Sequence, residues 1–477
     1  MEERKGFGSN FGFIMAAVGS AVGLGNIWGF PNKMGASGGA LFLIIYLVLA
    51  VFCGFIIMLG ELALGRKTGQ GAVGAYKVLS KKFGWMGWLG IASAFFILFF
   101  YCALGGYCIK YVVLNVGDLF GAGFGSNGLT GGEVFGAFMG SPVESIIYGL
   151  IFVAITMVIV MGGIGGGIEK VCSIGMPCLF VALIICIIRA LTLPGAVDGL
   201  KYMFVPGWAV ANGVIAEAPS FFNVLSTAGG QMFFSLSLGM GAMITYGSYL
   251  DKKENLEKNA VMIVVLDTLV ALMAGLCVIP ARFALDPEGA LGGPSLLFIT
   301  MQNVFQKMGS VGPIFGILFY LLVVFAAISS SISLLEVITT HFVDAAREAG
   351  KGDKRKKYCV TAAALVGLGC ILVCADCLGG NNIAPWQLLG LESYAGWNDC
   401  WLDFWDMLSE GIMMPLGALL MSLMIGWEIG PEVVKGECET TPGHKMGSFG
   451  FFKICTKVIT PLIMLFILYG QIKSFFG

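Results

Sequence analysis

The chain has 477 residues, of which 57% are hydrophobic and only 12% charged; 28 basic and 29 acidic side chains leave a formal net charge of −1. Water-soluble domains carry about 25% charged residues, so the bilayer must be the solvent for most of this chain. A soluble enzyme, a disordered chain, a collagen and a nucleic-acid binder with a basic surface are excluded together.

In chain order, eleven apolar segments of crossing length are expected, at about 11–33, 39–66, 86–116, 146–164, 168–192, 225–250, 257–280, 311–343, 358–378, 402–428 and 448–475. They are numbered here as spans one to eleven. Several exceed the roughly 20 residues a crossing helix needs, so tilt or breaks are expected. The first segment carries Ser20, Asn26 and Pro31 with no cleavage-type site behind it, and so reads as a span and not as a signal peptide. If the N-terminus is cytoplasmic, 20 of the 28 basic residues fall in cytoplasmic loops, while the loop 117–145 has no Lys or Arg. This bias predicts a multi-pass cell-membrane protein with the N-terminus inside and, for an odd number of spans, the C-terminus outside. Fourteen cysteines mostly lie in apolar runs and read as small hydrophobes. Cys374, Cys377 and Cys400 have spacing that a disulfide or a metal could use, but no second cysteine pair or histidine accompanies them.

Two spans share an oddity. Residues 19–26 read GSAVGLGN and residues 235–241 read SLSLGMG, both at mid-depth and five spans apart. An odd offset sets the two interruptions in helices of opposite direction, the pattern of an inverted repeat with a binding site at the bilayer midplane. The plainer alternative is close helix packing through small residues. A broken helix exposes carbonyls on one half, which suit a hard cation, and amides on the other, which suit a carboxylate.

Asp267 stands mid-span in seven, where a carboxylate is costly unless it is paired, protonated or cation-bound. Ala326, Ser329 and Ser330 stand at i, i+3 and i+4 in span eight and share a face, so a carbonyl and two hydroxyls can converge; serines bonding their own helix are the plainer reading. Glu61 in span two either pairs with Arg66 near the interface or braces amides freed at a helix break. Lys110 and Arg189 read as snorkelling near span ends, and Tyr101 as an aromatic packing residue. The glycine runs at 162–167 and 23–25 do not sit in a βαβ unit, so they are not nucleotide loops. No nucleophile–base pair is present to suggest an enzyme.

Residues 19–31, ending Gly-Asn-Ile-Trp before Phe30 and Pro31, resemble the first-span signature of the neurotransmitter:sodium symporter family, with Gly29 interposed between Trp28 and Phe30. Residues 235–246, 325–331 and 60–66 resemble its sixth, eighth and second spans, so the resemblance covers nearly the whole chain. It implies an all-α integral membrane protein of eleven transmembrane helices in a five-plus-five inverted repeat, with helices 1 and 6 broken; the leucine transporter of this family is a known example of that architecture. The implied divisions are 1–10 as a cytoplasmic gate segment, 11–192 as the first repeat, 193–224 as an extracellular loop, 225–428 as the second repeat, and 429–477 as a cytoplasmic loop with the last span. Eleven spans, with Gly167 and Pro177 in a Gly-X9-Pro pattern, look like the bacterial subgroup that includes hydrophobic amino-acid and tyrosine transporters.

The resemblance further implies Na+-coupled amino-acid symport by alternating access, with a non-transporting sensor on the same scaffold as the alternative. One sodium site takes the Ala21 carbonyl with Asn26, Ser235 and Asp267. The other takes the carbonyls of Gly19, Val22 and Ala326 with the hydroxyls of Ser329 and Ser330. The substrate carboxylate meets the amides of Leu24 and Gly25 and the Tyr101 hydroxyl. Ser20, Ala21, Ile97, Phe234, Ser235, Ser237, Met240 and Leu334 shape the pocket, which has no charged partner and suits neutral apolar or aromatic L-amino acids. Asp267 supplies the negative charge that chloride supplies in chloride-dependent relatives. Arg4 with Asp344, and Phe7 as an aromatic plug, form the inner gate. The family's outer arginine is replaced by Gly29, so its expected partner Asp406 lacks a guanidinium; Lys33, one turn on, is expected to reach Asp406 or Asp403, with closure by aromatic contact alone as the other reading.

Overall fold

The computed structural model describes residues 6–350, 354–390 and 397–476. Among these residues every regular element is helical and there is no strand. Among the described residues, nine helices are long and apolar enough to cross a membrane: Ala40–Thr68, Met86–Phe120, Pro142–Met161, Ile164–Leu191, Leu256–Leu285, Gly309–Glu348, Arg355–Asp376, Trp401–Glu428 and Phe449–Phe476. A tenth is the pair Asn10–Ala21 and Gly25–Ala36, bent by 48° at its break. The expected sixth span is likewise in two pieces, Phe221–Leu236 and Ala242–Gly247. Span one and span six are thus the interrupted ones.

Local chemistry sets the helix ends. Ser9, Ser220 and Asn255 cap the starts of spans one, six and seven, each side chain accepting from a backbone amide three residues on. Gly69 and Gly121 close spans two and three in the left-handed conformation. Spans three and eight outrun their expected ends, at Phe120 and Glu348. With 35 residues, Met86–Phe120 is about 52 Å long, which exceeds the hydrocarbon thickness and projects beyond it. Short helices that no apolar run signals also connect the spans, among them Ala72–Leu79, Gly131–Met139, Ala196–Phe204 and Glu432–Cys438.

Burial divides the spans into a centre and a periphery. The most apolar windows of Met86–Phe120 and Trp401–Glu428 are 72% buried, against 28% for Ile164–Leu191. Span five accordingly presents Val181, Ile184, Ile185 and Ile188 outward, an apolar face fit for lipid. Spans three and eight form the most extensive helix–helix packing in the molecule. The two broken spans lie against each other beside that pair, so both interruptions fall in the interior.

Candidate functional site

The first break runs from Val22, which leaves the helix with ψ near 102°, to the wide turn Gly25–Gly29. The second runs from Ser237, in the left-handed region at φ +54, to Gly241. Glu61 of span two accepts a hydrogen bond from the Gly239 amide at 2.7 Å. Of its two sequence readings, bracing the broken helix is the one observed. Arg66 bonds Glu437 at 2.9 Å instead, tying span two to the loop before span eleven.

One polar cluster joins the two breaks to span seven. The Asn26 side-chain amide donates to Asp267 Oδ1 at 2.8 Å and to Ser235 Oγ at 2.9 Å. Ser235 donates in turn to Asp267 Oδ2 at 2.9 Å. All three side chains are fully buried. Tyr46, which sequence reasoning did not single out, donates to Ser235 Oγ at 3.1 Å. Nothing marks a tyrosine in an apolar run as a partner for a residue nearly two hundred positions away. The Ala21 carbonyl, expected in this set, belongs to the last helical residue before the break.

A second cluster carries no formal charge. Ser329 Oγ donates to the carbonyls of Ala326 at 2.9 Å and Val22 at 3.2 Å. Ser330 Oγ donates to those of Ser20 at 3.0 Å and Gly19 at 3.3 Å. The expected five residues, Gly19, Val22, Ala326, Ser329 and Ser330, therefore meet in space. Hard oxygen donors at this density suit an alkali cation. Ser329 thus bonds both its own helix and span one, whereas Ser330 reaches span one alone.

Between the clusters lies a closed cavity lined by Ala21, Gly23, Gly25, Ile97, Tyr101, Phe234, Ser237, Met240, Ser330 and Leu334. Its free volume of ≈ 10 Å³ has room for about one water. Tyr101 and Phe234 meet edge-on across it with centroids 6.4 Å apart, and the Leu24 amide donates to Tyr101 Oη at 2.9 Å. Gly23 is required by proximity: a Cβ there would come within 2.2 Å of Ser330 Oγ and 2.4 Å of Tyr101 Oη. Two expected pocket residues turn away. Ser20 directs its hydroxyl to Ser333 at 2.7 Å, and Ser235 belongs to the Asp267 cluster. Gly23 and Ser330 join the lining instead.

Of the inner-gate residues, Arg4 lies outside the described residues. Phe7 packs edge-on against Phe13 and Tyr246 at 5.3 and 5.8 Å. Asp344 Oδ2 accepts from the Gly71 amide at 3.0 Å. At the other end of the bundle, Lys33 does reach span ten, but its ion-pair partner is Glu410 and not Asp406 or Asp403. Glu410 is one helical turn beyond Asp406, and Asp406 stays near enough to act on Lys33 through its charge. At Gly29, a Cβ would lie 2.9 Å from Gln231 Oε1. Gln231, whose side-chain amide donates to the Gly25 carbonyl at 2.7 Å, fills the place where a larger residue would begin. An amide or acid inside an apolar run was the available signal for Gln231 and Glu410.

Around Gly167 the chain is helical, widened by one turn over Ile164–Glu169, and Pro177 sits within Lys170–Leu191. Cys374, Cys377 and Cys400 are free thiols. The loop they share is organised by Asp376, which accepts from the amides of Trp401 at 2.8 Å and Gly379 at 3.2 Å.

Known proteins match over this whole frame. The model of the sodium:neurotransmitter symporter family matches residues 4–119 and 138–476. The uncharacterized sodium-dependent transporter YhdH of Bacillus subtilis (strain 168) is 33% identical over 468 residues, covering 96% of each chain. An uncharacterized sodium-dependent transporter of Haemophilus influenzae is 30% identical, covering 98% of each. The crystal structure of MhsT in complex with L-phenylalanine is similar with a TM-score of 0.83 at 34% identity, covering 98% of this chain and 100% of that one. With two facing broken helices, a buried cavity between them and these relatives along its full length, the chain belongs to the sodium:neurotransmitter symporter family: it is a multi-pass, sodium-dependent symporter of the leucine-transporter-type fold, and not an enzyme.

Proposed function

We propose that the protein imports neutral apolar or aromatic L-amino acids by alternating access, coupled to two sodium ions and independent of chloride. The observation that carries this reading is the closed cavity at the two breaks, walled by Ile97, Tyr101, Phe234, Met240 and Leu334. No charged side chain lines it, so a charged substrate side chain would be left unpaired. The substrate carboxylate meets the amides of Leu24 and Gly25 at the start of the second half of span one, and takes over the Tyr101 hydroxyl that the Leu24 amide now holds. Phe234 and Met240 swing aside to admit the side chain, since the closed volume is far smaller than any apolar amino acid. The structural neighbour's bound L-phenylalanine supports the class.

One sodium ion takes the place among Asn26, Ser235 and Asp267, together with the Ala21 carbonyl. The other takes the place among Gly19, Val22, Ala326, Ser329 and Ser330, where it displaces the serine protons from the carbonyls. Asp267 provides the fixed negative charge that offsets one ion, which removes the need for a bound anion. The eleven spans run in the cell membrane with the N-terminus cytoplasmic and the C-terminus outside. The chain divides into 1–10, the repeats 11–192 and 225–428 separated by the loop 193–224, and 429–477. Phe7, Arg4 and Asp344 close the inner side; Lys33, Glu410 and Asp406 close the outer.

Uptake into proteoliposomes, with the twenty amino acids screened by thermal shift with and without Na+, tests the reading. A ligand of the folded state raises the melting temperature. Stabilisation by leucine, phenylalanine or tyrosine only when Na+ is present, and Na+-driven accumulation of the same ligand, is the expected result. Stabilisation by lysine or glutamate alone, or binding without accumulation, overturns it.

A further inference from the structure

A second cavity lies outside the transport pathway, between the start of Phe221–Leu236 and the end of Thr460–Phe476. It has a volume of ≈ 790 Å³ and is lined on one side by residues of span six that include Ser220, Phe222 and Asn223, and on the other by residues of span eleven that include Phe466, Tyr469 and Lys473. Its position follows from the helix ends. Ser220 caps the first turn of span six, and Lys473 stands in the last turn of span eleven. The cavity therefore sits at the rim of the bundle, where a bilayer changes from hydrocarbon to headgroup.

The lining is graded in the same sense. Phe222, Phe466 and Tyr469 are 66%, 54% and 66% exposed, and the Phe222 and Phe466 rings lie 6.4 Å apart. Together they offer an exposed apolar face. At the rim end stand Ser220, Asn223, Gln471, Lys473 and Ser474. Lys473 is the only charged side chain of the lining, and among the described residues it makes no ion pair. Gln471 and Ser226 are occupied with backbone carbonyls across the gap, at 3.0 and 3.3 Å, and hold the two helices at this spacing. An aqueous ligand does not need two exposed phenylalanines, and an acyl chain alone does not need a lysine.

We propose that this cavity binds one anionic phospholipid, with its phosphate on Lys473 and an acyl chain laid along the exposed faces of Phe222, Phe466 and Tyr469. The bond is an ordinary charge-assisted contact, and Tyr469 beside the pair is of a residue type enriched at membrane–water interfaces. Nothing in the proposed transport cycle requires the site, so its test is independent of that reading.

Native mass spectrometry of the full-length protein from detergent containing equal phosphatidylglycerol and phosphatidylcholine counts retained lipid. The expected result is one phosphatidylglycerol held about fivefold in preference to phosphatidylcholine, the advantage that a single interfacial lysine gives. Lys473→Gln should abolish the preference while some lipid is still held. Phe222→Ser with Phe466→Ser should lose the lipid, and Lys201→Gln, at an exposed site elsewhere, should change nothing. A thermal melt confirms that each variant is folded. Equal retention of the two lipids by the wild-type protein, an unchanged preference in Lys473→Gln, or displacement of the lipid by inorganic phosphate alone overturns the proposal; the last outcome makes it a site for a soluble anion.

Discussion

The two polar clusters that flank the central cavity are built on opposite principles. The Asn26–Ser235–Asp267 cluster is made of side chains, one of them a carboxylate, drawn from spans one, six and seven. The Ser329–Ser330 cluster is made mostly of carbonyls freed where span one leaves its helix, with two hydroxyls to complete it. The first is a network of side-chain hydrogen bonds around one carboxylate, with the Asn26 amide and the Ser235 hydroxyl as donors. The second is held by two hydroxyls of span eight that reach carbonyls of span one, so loosening span one would disperse its oxygens. The first cluster brings a formal charge to the breaks; the second brings only neutral oxygens, and its assembly depends on where span one leaves its helix.

The sharpest way to break this comparison is to remove its charge. Asp267→Asn should reduce Na+-driven uptake by about 100-fold or more, because a neutral amide cannot supply the charge that the proposed sodium site takes from this buried carboxylate. Uptake at the wild-type level by a folded variant would make Asp267 a structural acid only. Ser329→Ala with Ser330→Ala removes two oxygen ligands at roughly 1 kcal/mol each or more, so half-maximal activation should need about tenfold or more extra Na+. An unchanged activation curve would remove the second cation site.

Smaller effects sharpen the picture. Tyr101→Phe removes one hydrogen bond, and substrate affinity should fall roughly tenfold while stabilisation by Na+ alone is kept. Loss of both together would mean that Tyr101 holds the break itself and not the substrate. At the outer end, Lys33→Ala leaves Glu410 buried without its partner and should slow uptake a few-fold, and Lys33→Met with Glu410→Gln should restore it. If the single variant behaves as the parent at low and high salt, aromatic contact alone closes that side. Replacement of chloride by gluconate should have no effect on uptake, and a strict chloride requirement would contradict the role given to Asp267.

The scaffold was legible because membrane helices announce themselves by composition. The apolar runs, the glycine-rich interruptions at 19–26 and 235–241, and the i, i+3, i+4 spacing of Ala326, Ser329 and Ser330 are local patterns that a single helix must satisfy. Partners between helices are not local. Nothing near Glu61 indicates that it reaches the Gly239 amide, nor that Arg66 is taken by Glu437, because both choices depend on how span two packs against span six and the loop before span eleven. Lys33 shows the same limit at finer scale: its length and face pointed to span ten, but a shift of one helical turn, from Asp406 to Glu410, is set by the relative height of two packed helices. The sequence alone marked the apolar spans, the two glycine-rich breaks and the chemistry offered near them, but not the short connecting helices or the full length of spans three and eight. The tertiary structure alone decided which faces meet, because helix height and rotation are fixed by the sum of many weak packing contacts and by no single residue.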